Sequence, residues 1–391
     1  MSTTLEDAIR VAGDRSVAVI LALSHDLHAH PEIAWEEVRS SARVAGDLDD
    51  AGFTVQQNYT DLPTAFLARR GTGPLHLAVC AEYDALPGMG HACGHNIIAA
   101  ISTGAAMALA PYVDDLGITL SVFGTPAEEG GGGKIEMLDR GGFDGVHAAA
   151  MVHPGPVDVA HAAPYAVSHS HIRYDGKSAH AAAYPDRGIN AADAFTLAQV
   201  GIGLLRQHFP HDTRVHGIMT NGGEAPNAIP QRTEGRWYVR AGSLVELADL
   251  ERRVNRCFEA GALATGCELT ITPESKPYSE FRNDERLLDH YVHRAEQLGR
   301  YFSSGSDSLM NRASTDMGNV SQQVAAIHPY IGIESLPAVN HQPEFAAAAL
   351  SPAADRAVVD GARALALALF DAALDTGTRR HLLGAANGGT T

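Results

Sequence analysis

The sequence feature that most constrains the fold is an apolar run that leads directly into polar residues. Residues 75–80 (Leu-His-Leu-Ala-Val-Cys) are largely apolar, which is typical of a β-strand buried on both faces of a sheet. Such strands occur in α/β proteins, where helices cover the sheet. Glu82-Tyr-Asp84 follows at once, at the strand end where open α/β sheets bind their ligands.

The stretch from Asp84 to Asn96 combines a carboxylate, a thiol and two imidazoles with three glycines. Glycine adopts left-handed and crowded backbone conformations, so this stretch can turn several side chains towards one point. Cys93 and His95 stand two residues apart, and in a turn both can reach one ion. A buried cysteine is also common without any metal, so the prediction of a metal site depends on ligands elsewhere in the chain.

Two further predicted strands end in the same way. Residues 118–123 run into a segment with Glu128, Glu129 and four glycines, and residues 148–152 are followed by His153. Adjacent carboxylates at a strand end point to different sides. One of them can therefore bind a metal, for which we choose Glu129, while Glu128 serves as a proton shuttle.

The candidate metal ligands supply a thiolate, imidazoles and a carboxylate, and Asp84 is predicted to orient one of them. They are Cys93, His95, Glu129, His153 and His341. These donors suit Zn²⁺, with Mn²⁺ and Co²⁺ as alternatives. Five ligands exceed the need of one tetrahedral ion, which favours two divalent ions. Two ions can hold a hydroxide nucleophile and polarise a carbonyl, and Glu128 can pass the water's proton to a leaving amine. This set of parts performs amide hydrolysis.

The chain of 391 residues exceeds the usual size of one hydrophobic core, so two domains are expected. Residues 164–278 carry the pattern β-α-β-β-α-β, which resembles a split βαβ unit. We therefore predict an α/β domain with a mixed, mainly parallel sheet, formed by residues 1–163 and 279–391, and an inserted α+β domain. Apolar spacing predicts N-terminal helices over 9–27 and 32–48, and the polar tail from Gly377 is expected to be disordered.

Composition argues against several classes of partner. The net charge of −17 disfavours nucleic acid and anionic membrane surfaces. Four cysteines at irregular spacing indicate a reducing compartment rather than a disulfide framework. The polar, acidic first residues do not match a signal peptide, and no uncharged apolar run approaches the roughly 20 residues that span a bilayer. We therefore expect a cytoplasmic protein.

Eight segments together make the chain resemble peptidase family M20, and more closely its amidohydrolase branch, subfamily D. They are His28–Glu32, Glu82–Pro87, Ala92–Asn96, Thr125–Glu129, His153–Gly155, Ser178–Ala182, Gly222–Pro230 and Asn340–His341. This branch has Cys-Gly-His where the peptidase branches carry an aspartate. The Cys-Gly-His-Asn form is most similar to aminobenzoyl-glutamate hydrolases and β-alanyl-type dipeptidases. Most hippurate- and auxin-conjugate hydrolases have Asp where Asn96 stands.

The resemblance implies roles for particular residues. Cys93 would bridge two metal ions, and Glu128 would be the general base and then the general acid. The inserted domain would be a lid that also forms a homodimer, from which His180 would reach across to stabilise the oxyanion. Asn227 and Arg240 would help to hold the substrate. That substrate would be an N-acyl amino acid or small dipeptide, with aminobenzoyl-glutamate or a β-alanyl dipeptide as alternatives.

Other functions fit the sequence less well. A cysteine hydrolase with Cys93 as its nucleophile leaves the two adjacent glutamates and His153 without a role. A zinc nucleobase deaminase would need a Pro-Cys-x-x-Cys motif, which is missing. A binding protein with an inert metal site would have no need of Glu128. Chelation separates the first alternative from a metal-dependent hydrolase.

Overall fold

The structure is a computed structural model that describes residues 2–385. The chain divides into two compact units, which we call unit 1 (Met1–Ala163 with Phe281–Thr391) and unit 2 (Pro164–Glu280). Each unit has a hydrophobic core of its own. The predicted roles of the two domains, catalysis and lid, remain predictions.

The helices and strands of the described residues alternate along most of the chain. The helices are α1 Ser2–Ala29, α2 Val38–Asp50, α3 His95–Leu109, α4 Val113–Leu116, α5 Gly133–Asp139, α6 Ala191–Leu205, α7 Leu244–Thr265, α8 Glu285–Gln297, α9 Met317–Gln323, α10 Pro343–Ala348, α11 Pro352–Leu374 and α12 Thr376–Ala385. The strands are β1 Thr54–Gln57, β2 Phe66–Arg70, β3 Leu75–Glu82, β4 Ile118–Thr125, β5 Ala148–Ala150, β6 His153–Gly155, β7 Ala166–Asp175, β8 Arg214–Asn221, β9 Arg232–Ala241, β10 Glu268–Pro273, β11 Ala325–Ile327 and β12 Tyr330–Gly332.

The main sheet of unit 1 has the strand order β1-β2-β4-β3-β5-β11. The pairs β4–β3, β3–β5 and β5–β11 are parallel, whereas β1–β2 and β2–β4 are antiparallel. The predicted mixed, mainly parallel sheet is therefore confirmed. A second, two-stranded parallel sheet pairs β6 with β12.

Strand β3 lies at the centre of unit 1, and all of its residues are buried. Its side chains alternate between two cores: Leu77 and Val79 pack with residues of α1, α3 and α11, and Ala78 and Cys80 pack with residues of α5 and α9. Successive side chains of a strand point to opposite faces. Because helices cover both faces, the strand is largely apolar rather than apolar only at alternate positions.

Helix α3 and the short helical turns after it are apolar on all sides. The segment His95–Leu116 is long and apolar enough, by length and composition, to cross a membrane, although no such run was expected from the sequence. However, 83% of its apolar window is buried inside the described structure. A helix buried in this way is typical of a protein core.

The N-terminal helices differ from their predicted bounds. Helix α2 begins at Val38, so the predicted start at Glu32 is wrong. The Glu32 carboxylate instead accepts hydrogen bonds from the backbone N–H groups of Arg39 (3.0 Å) and Ser40 (2.7 Å). Since the first N–H groups of a helix have no partner within it, Glu32 stabilises the start of α2 from outside the helix.

The predicted disorder of the tail from Gly377 is wrong for the residues that the structure describes. Residues Thr376–Ala385 form α12. The Arg379 guanidinium donates to the carbonyl groups of Leu116 (3.1 Å) and Gly117 (2.9 Å), which fixes this helix to the start of β4. Residues 386–391 lie outside the described range.

Unit 2 has the element order β7-α6-β8-β9-α7-β10, which is the predicted β-α-β-β-α-β pattern. Its antiparallel sheet has the order β10-β7-β9-β8. Helices α6 and α7 cover one face, where Phe195 and Phe258 pack against Trp237. In the described residues β8 pairs only with β9, so it forms an edge of the sheet.

Candidate metal centre

Three parallel strands of unit 1 lead to the candidate ligands. The segment after β3 contains Cys93 and His95, the segment after β4 contains Glu128 and Glu129, and His153 follows β5. Parallel strands end at the same edge of a sheet, so the residues after them meet there. The fifth candidate, His341, comes from the loop before α10.

The turn before α3 brings Cys93 close to His153. Gly94 has φ of 87°, a left-handed conformation that glycine adopts without strain. A Cβ atom at this position would lie 2.5 Å from Cγ of Pro154. Because a glycine allows this close approach, Sγ of Cys93 lies 3.5 Å from Nε2 of His153.

The five candidate ligands form two groups that share one cysteine. Cys93, His95 and His153 make the first group, and Cys93, Glu129 and His341 make the second. Within each group one donor atom per residue lies within 4.8 Å of the others. A thiolate that belongs to both groups would lie where a ligand shared by two ions is expected.

The donor atoms fit a divalent cation. Nε2 of His341 lies 3.1 Å from Oε1 of Glu129, but the two atoms are not aligned for a hydrogen bond. Among the described residues, that oxygen and Nε2 of His95 are buried without hydrogen-bond partners. Buried polar atoms normally have partners, and an ion bound to each group would supply one.

Burial prepares one member of the first group, His153, for metal binding. Burial lowers the pKa of His153 well below its usual value, which favours the neutral imidazole that binds metals. Nδ1 of His153 contacts the Pro154 carbonyl at 2.7 Å, so this nitrogen carries the proton and Nε2 faces Cys93. Burial raises the pKa of the Cys93 thiol well above its usual value, and a neighbouring cation would be needed to hold the thiolate.

Asp84 is buried and connects the two groups. Its Oδ1 lies 2.9 Å from Nδ1 of His95, and its Oδ2 accepts the backbone N–H of Glu129 at 2.9 Å. Burial alone would raise the pKa of Asp84, but the His95 imidazole, the Glu129 N–H and the Lys134 ammonium together hold this pKa below its usual value. The carboxylate therefore orients one imidazole and one loop, as carboxylates behind metal-binding histidines do.

Asn340 positions the loop of His341, a role that sequence reasoning did not assign. Its Nδ2 donates to the carbonyl groups of Cys93 (3.1 Å) and Pro154 (3.2 Å). The His341 backbone has φ of 68°, and its N–H donates to the Ala92 carbonyl at 2.8 Å. The only signal in the sequence was the position of Asn340 directly before His341 in a matched segment.

Glu128 belongs to neither of these two groups, but it forms a third candidate group with Glu82 and His95. Its Oε2 is 3.9 Å from Nε2 of His95, and Oε2 of Glu82 is 3.5 Å from the same nitrogen. The Lys134 ammonium lies 2.5 Å from Oε1 of Glu82 and 2.7 Å from Oδ1 of Asp316, and all three side chains are buried. This ammonium supplies the positive charge that the inner carboxylates require, so a third ion is not needed there.

The pKa of Glu128 is raised well above its usual value, first by burial and then by the neighbouring carboxylates of Glu82 and Glu129. A carboxyl group with a raised pKa can both accept and return a proton near neutral pH. Such an environment would suit a proton carrier.

Two of the predicted substrate-binding residues lie together in unit 2. His180 is exposed, and its Nδ1 accepts hydrogen bonds from the backbone N–H groups of Ala182 (3.3 Å) and Ala183 (3.2 Å). Its proton must then be on Nε2, which is left as a donor. The backbone N–H of Ala181 donates to the Asn227 carbonyl at 2.9 Å, so Asn227 is held beside His180.

Arg240, the third residue predicted in unit 2, lies on β9. Its Nε donates to Nε2 of His216 at 3.3 Å. Burial, with the nearby guanidinium, lowers the pKa of His216, which keeps this imidazole neutral as an acceptor. His180, Asn227 and Arg240 all belong to unit 2, whereas both groups of candidate metal ligands belong to unit 1.

Asn96 lies on α3, and its side chain faces helix α1. Its Nδ2 donates to Oγ of Ser24 at 2.9 Å. Asn96 belongs to neither ligand group. Asn96 therefore links helix α3 to helix α1. Its contact with Ser24 does not indicate which substrate the protein binds.

The chain matches known proteins both in sequence and in fold. The family model "Peptidase family M20/M25/M40" matches residues 78–368. A dinuclear metal binding peptidase of family M20 from Bacillus subtilis has a solved structure with a TM-score of 0.68 at 21% identity, covering 92% of this chain and 99% of that one. This likeness supports the fold.

Two curated relatives extend the match. The Xaa-Arg dipeptidase of Mus musculus is 39% identical over 375 residues, covering 92% of this chain and 86% of that protein. A p-aminobenzoyl-glutamate hydrolase component of Escherichia coli (strain K12) is 33% identical over 282 residues, covering 67% of this chain and 58% of that protein. The chain therefore belongs to peptidase family M20, as its motifs predicted, and is a hydrolase of peptide or other carbon–nitrogen bonds.

Proposed function

We propose that this protein is a two-metal hydrolase that cuts the amide bond of a small dipeptide or N-acyl amino acid and releases a free amino acid. The observation that carries the proposal is the pair of ligand groups that share Sγ of Cys93. Glu128 lies beside both groups without belonging to either. These are the protein groups that a mechanism with two ions and one proton carrier would need.

The residues of unit 1 divide the work between binding and proton transfer. Cys93, His95 and His153 would hold one ion, and Cys93, Glu129 and His341 the other. When bound, the ions supply polarisation of the scissile carbonyl and acidify a water. Glu128 accepts a proton from the attacking water and delivers it to the amine as the carbon–nitrogen bond breaks. The thiolate, imidazole and carboxylate donors favour Zn²⁺, with Mn²⁺ or Co²⁺ as alternatives.

The residues of unit 2 would recognise the substrate. His180 carries its proton on Nε2, so it can donate a hydrogen bond to the oxyanion that forms at the carbonyl. Asn227 and Arg240 would hold the substrate, because an amide and a guanidinium can both bind a carboxylate.

A dipeptide is the favoured substrate. The relative with the higher identity and coverage is an Xaa-Arg dipeptidase, and the relative with the lower values is named for the hydrolysis of p-aminobenzoyl-glutamate. The net charge of −17 would also attract a dipeptide with a basic side chain more than an acidic glutamate conjugate. Aminobenzoyl-glutamate remains the second substrate to be tested.

Metal removal tests the proposed function. We expect a chelator to abolish release of the amino acid, and Zn²⁺, Mn²⁺ or Co²⁺ to restore it. The substrates would be Xaa-Arg and β-alanyl dipeptides, N-acyl amino acids and aminobenzoyl-glutamate, followed by detection of free amines. Full activity in a protein from which all metal has been stripped would contradict the proposal.

A cysteine hydrolase is the second candidate, because Sγ of Cys93 lies 3.5 Å from Nε2 of His153 as in a nucleophile–base pair. That mechanism leaves Glu129 and His341 without a function. Activity that survives chelation but is lost to a thiol-alkylating reagent would favour it.

We also propose that unit 2 forms a homodimer. Helix α6 presents a stripe of apolar side chains to solvent: Leu197, Val200 and Leu204 are 45%, 56% and 72% exposed. Their spacing places them on one face of the helix. Strand β8 is an edge strand, whose unpaired backbone groups can pair with a second copy. A second copy of this chain would cover both features.

The dimer has a direct test. We expect the double variant Val200→Glu, Leu204→Glu to elute as a monomer in size-exclusion chromatography with light scattering, because two charges would be buried in the interface. Leu263→Glu is the matched control, since Leu263 is 88% exposed on α7 instead. A double variant that keeps the mass of the unaltered protein in a dimeric state would exclude this surface.

A further inference from the structure

One buried carboxylate in unit 1 has no role in the proposed chemistry so far. Glu37 is fully buried at the start of α2. Its Oε1 accepts hydrogen bonds from the backbone N–H groups of Trp35 (2.9 Å) and Ala127 (2.8 Å). Its Oε2 accepts from the hydroxyl of Thr64 at 2.8 Å. A buried charge with three donors is anchored firmly, and one donor belongs to the loop of Glu128 and Glu129.

The two backbone donors share an unusual conformation. Trp35 and Ala127 have φ of 67° and 55°, and neither is glycine. A left-handed conformation costs free energy in residues that carry a Cβ atom, and it persists only where surrounding contacts impose it. Both residues donate to the same oxygen of Glu37. The two hydrogen bonds to Oε1 of Glu37 can therefore hold both Trp35 and Ala127 in the left-handed conformation.

The side chain of Trp35 also reaches the loop. A Cβ atom at Gly131 would lie 2.6 Å from Nε1 of Trp35 and 2.6 Å from Cβ of Ala127. The indole thus packs directly against the glycine segment that follows Glu129. Trp35, whose backbone N–H donates to Glu37, is therefore also in contact with this loop.

The loop is anchored at both ends of a short segment. Ala127 N–H donates to Glu37, and Glu129 N–H donates to Oδ2 of Asp84 at 2.9 Å. Glu128 lies between these two anchors. The directions of the Glu128 and Glu129 side chains therefore depend on the backbone position that the carboxylates of Glu37 and Asp84 impose.

We propose that Glu37 is a positioning residue for hydrolysis, which sets the backbone from Ala127 to Glu129 and so aims Glu128 and Glu129. This inference rests on the proposed function for the roles of the two glutamates. The anchoring by Glu37 itself can be measured without any metal or substrate.

Three variants separate anchoring from other effects. Glu37→Ala removes every acceptor, Glu37→Gln keeps an oxygen that can accept both backbone N–H groups, and Thr64→Val removes only the contact to Oε2. We expect Glu37→Ala to lower kcat by about 10- to 100-fold with little change in KM, since small misplacement of catalytic groups has such effects. Glu37→Gln should recover most of that loss, and Thr64→Val should resemble the unaltered protein.

Amide hydrogen exchange over residues 126–133 of the metal-free protein is the second measurement. Exchange should be slow in the unaltered protein, in Glu37→Gln and in Thr64→Val, and fast in Glu37→Ala. If Glu37→Ala does not fold, Glu37→Gln decides alone: slow exchange with retained kcat supports the inference, and fast exchange or a loss of kcat as large as that expected for Glu37→Ala overturns it. Unchanged kcat and exchange in a folded Glu37→Ala protein would also overturn it.

The outcomes distinguish this inference from the proposed function. An unaltered, metal-loaded protein that hydrolyses none of the substrates would contradict the proposed function. Fast exchange confined to the Glu37→Ala variant would still support the anchoring in that case.

Discussion

Replacement of Glu128 by glutamine is expected to abolish hydrolysis while the protein keeps its metal. Glutamine has nearly the same size as glutamate but cannot take a proton from water. General acid–base groups contribute about 10²- to 10⁴-fold to a rate, and a loss of kcat in that range is expected. Glu128 belongs to neither group that contains Cys93, so metal content should not change. Both quantities can be measured on one preparation, by steady-state kinetics and by elemental analysis.

The control is Glu136→Gln on α5, the helix that follows the same loop. Glu136 forms a partly exposed ion pair with Arg140, and such pairs contribute little. Its replacement should leave kcat and metal content unchanged. If Glu128→Gln kept full activity, Glu128 would not be the base. If it lost metal, Glu128 would be a ligand, and the third group with Glu82 and His95 would have to be reconsidered.

The central part of the fold was predictable because its signals are local. A strand buried on both faces is largely apolar, and β3 and β4 follow that pattern. The side chains after such strands meet at one edge of a parallel sheet. The structure accordingly brings Cys93, His95 and His153 together, although their roles as ligands remain predictions.

The contacts that orient the ligands were not predictable from local patterns. Glu37 and Ala127 are far apart in the chain. No periodic pattern of apolar and polar residues indicates that the two are in contact. The same holds for Lys134, which forms buried ion pairs with Glu82 and Asp316, both distant in the chain. The start of α2 was misplaced for a related reason, because the Glu32 side chain caps the helix from outside.

Cys93 is the residue whose loss should disturb both ions. Of the five candidate ligands, it is the one common to the two proposed metal groups. A variant at His153 or His341 would weaken one group, whereas Cys93→Ala removes a donor from each. Loss of a residue that only hydrogen-bonds to a metal ligand already costs about 10- to 100-fold in metal affinity or activity. We therefore expect Cys93→Ala to exceed that loss in activity and to retain neither ion firmly.

Cys93→Asp separates bridging from nucleophilic attack. A carboxylate has two oxygens that can bind two ions, and the resemblance implies that the peptidase branches of the family have an aspartate at this position. If Cys93 bridges the ions, the Asp variant should hold more metal and show higher activity than the Ala variant. If Cys93 were a nucleophilic thiolate, both variants would be equally inactive and metal content would be irrelevant to activity. Cys80→Ala is the control, because it removes another buried thiol that belongs to neither ligand group. Metal content and kcat should remain unchanged in that control, and a Cys93→Ala protein that binds and cleaves like the unaltered protein would exclude the shared-ligand arrangement.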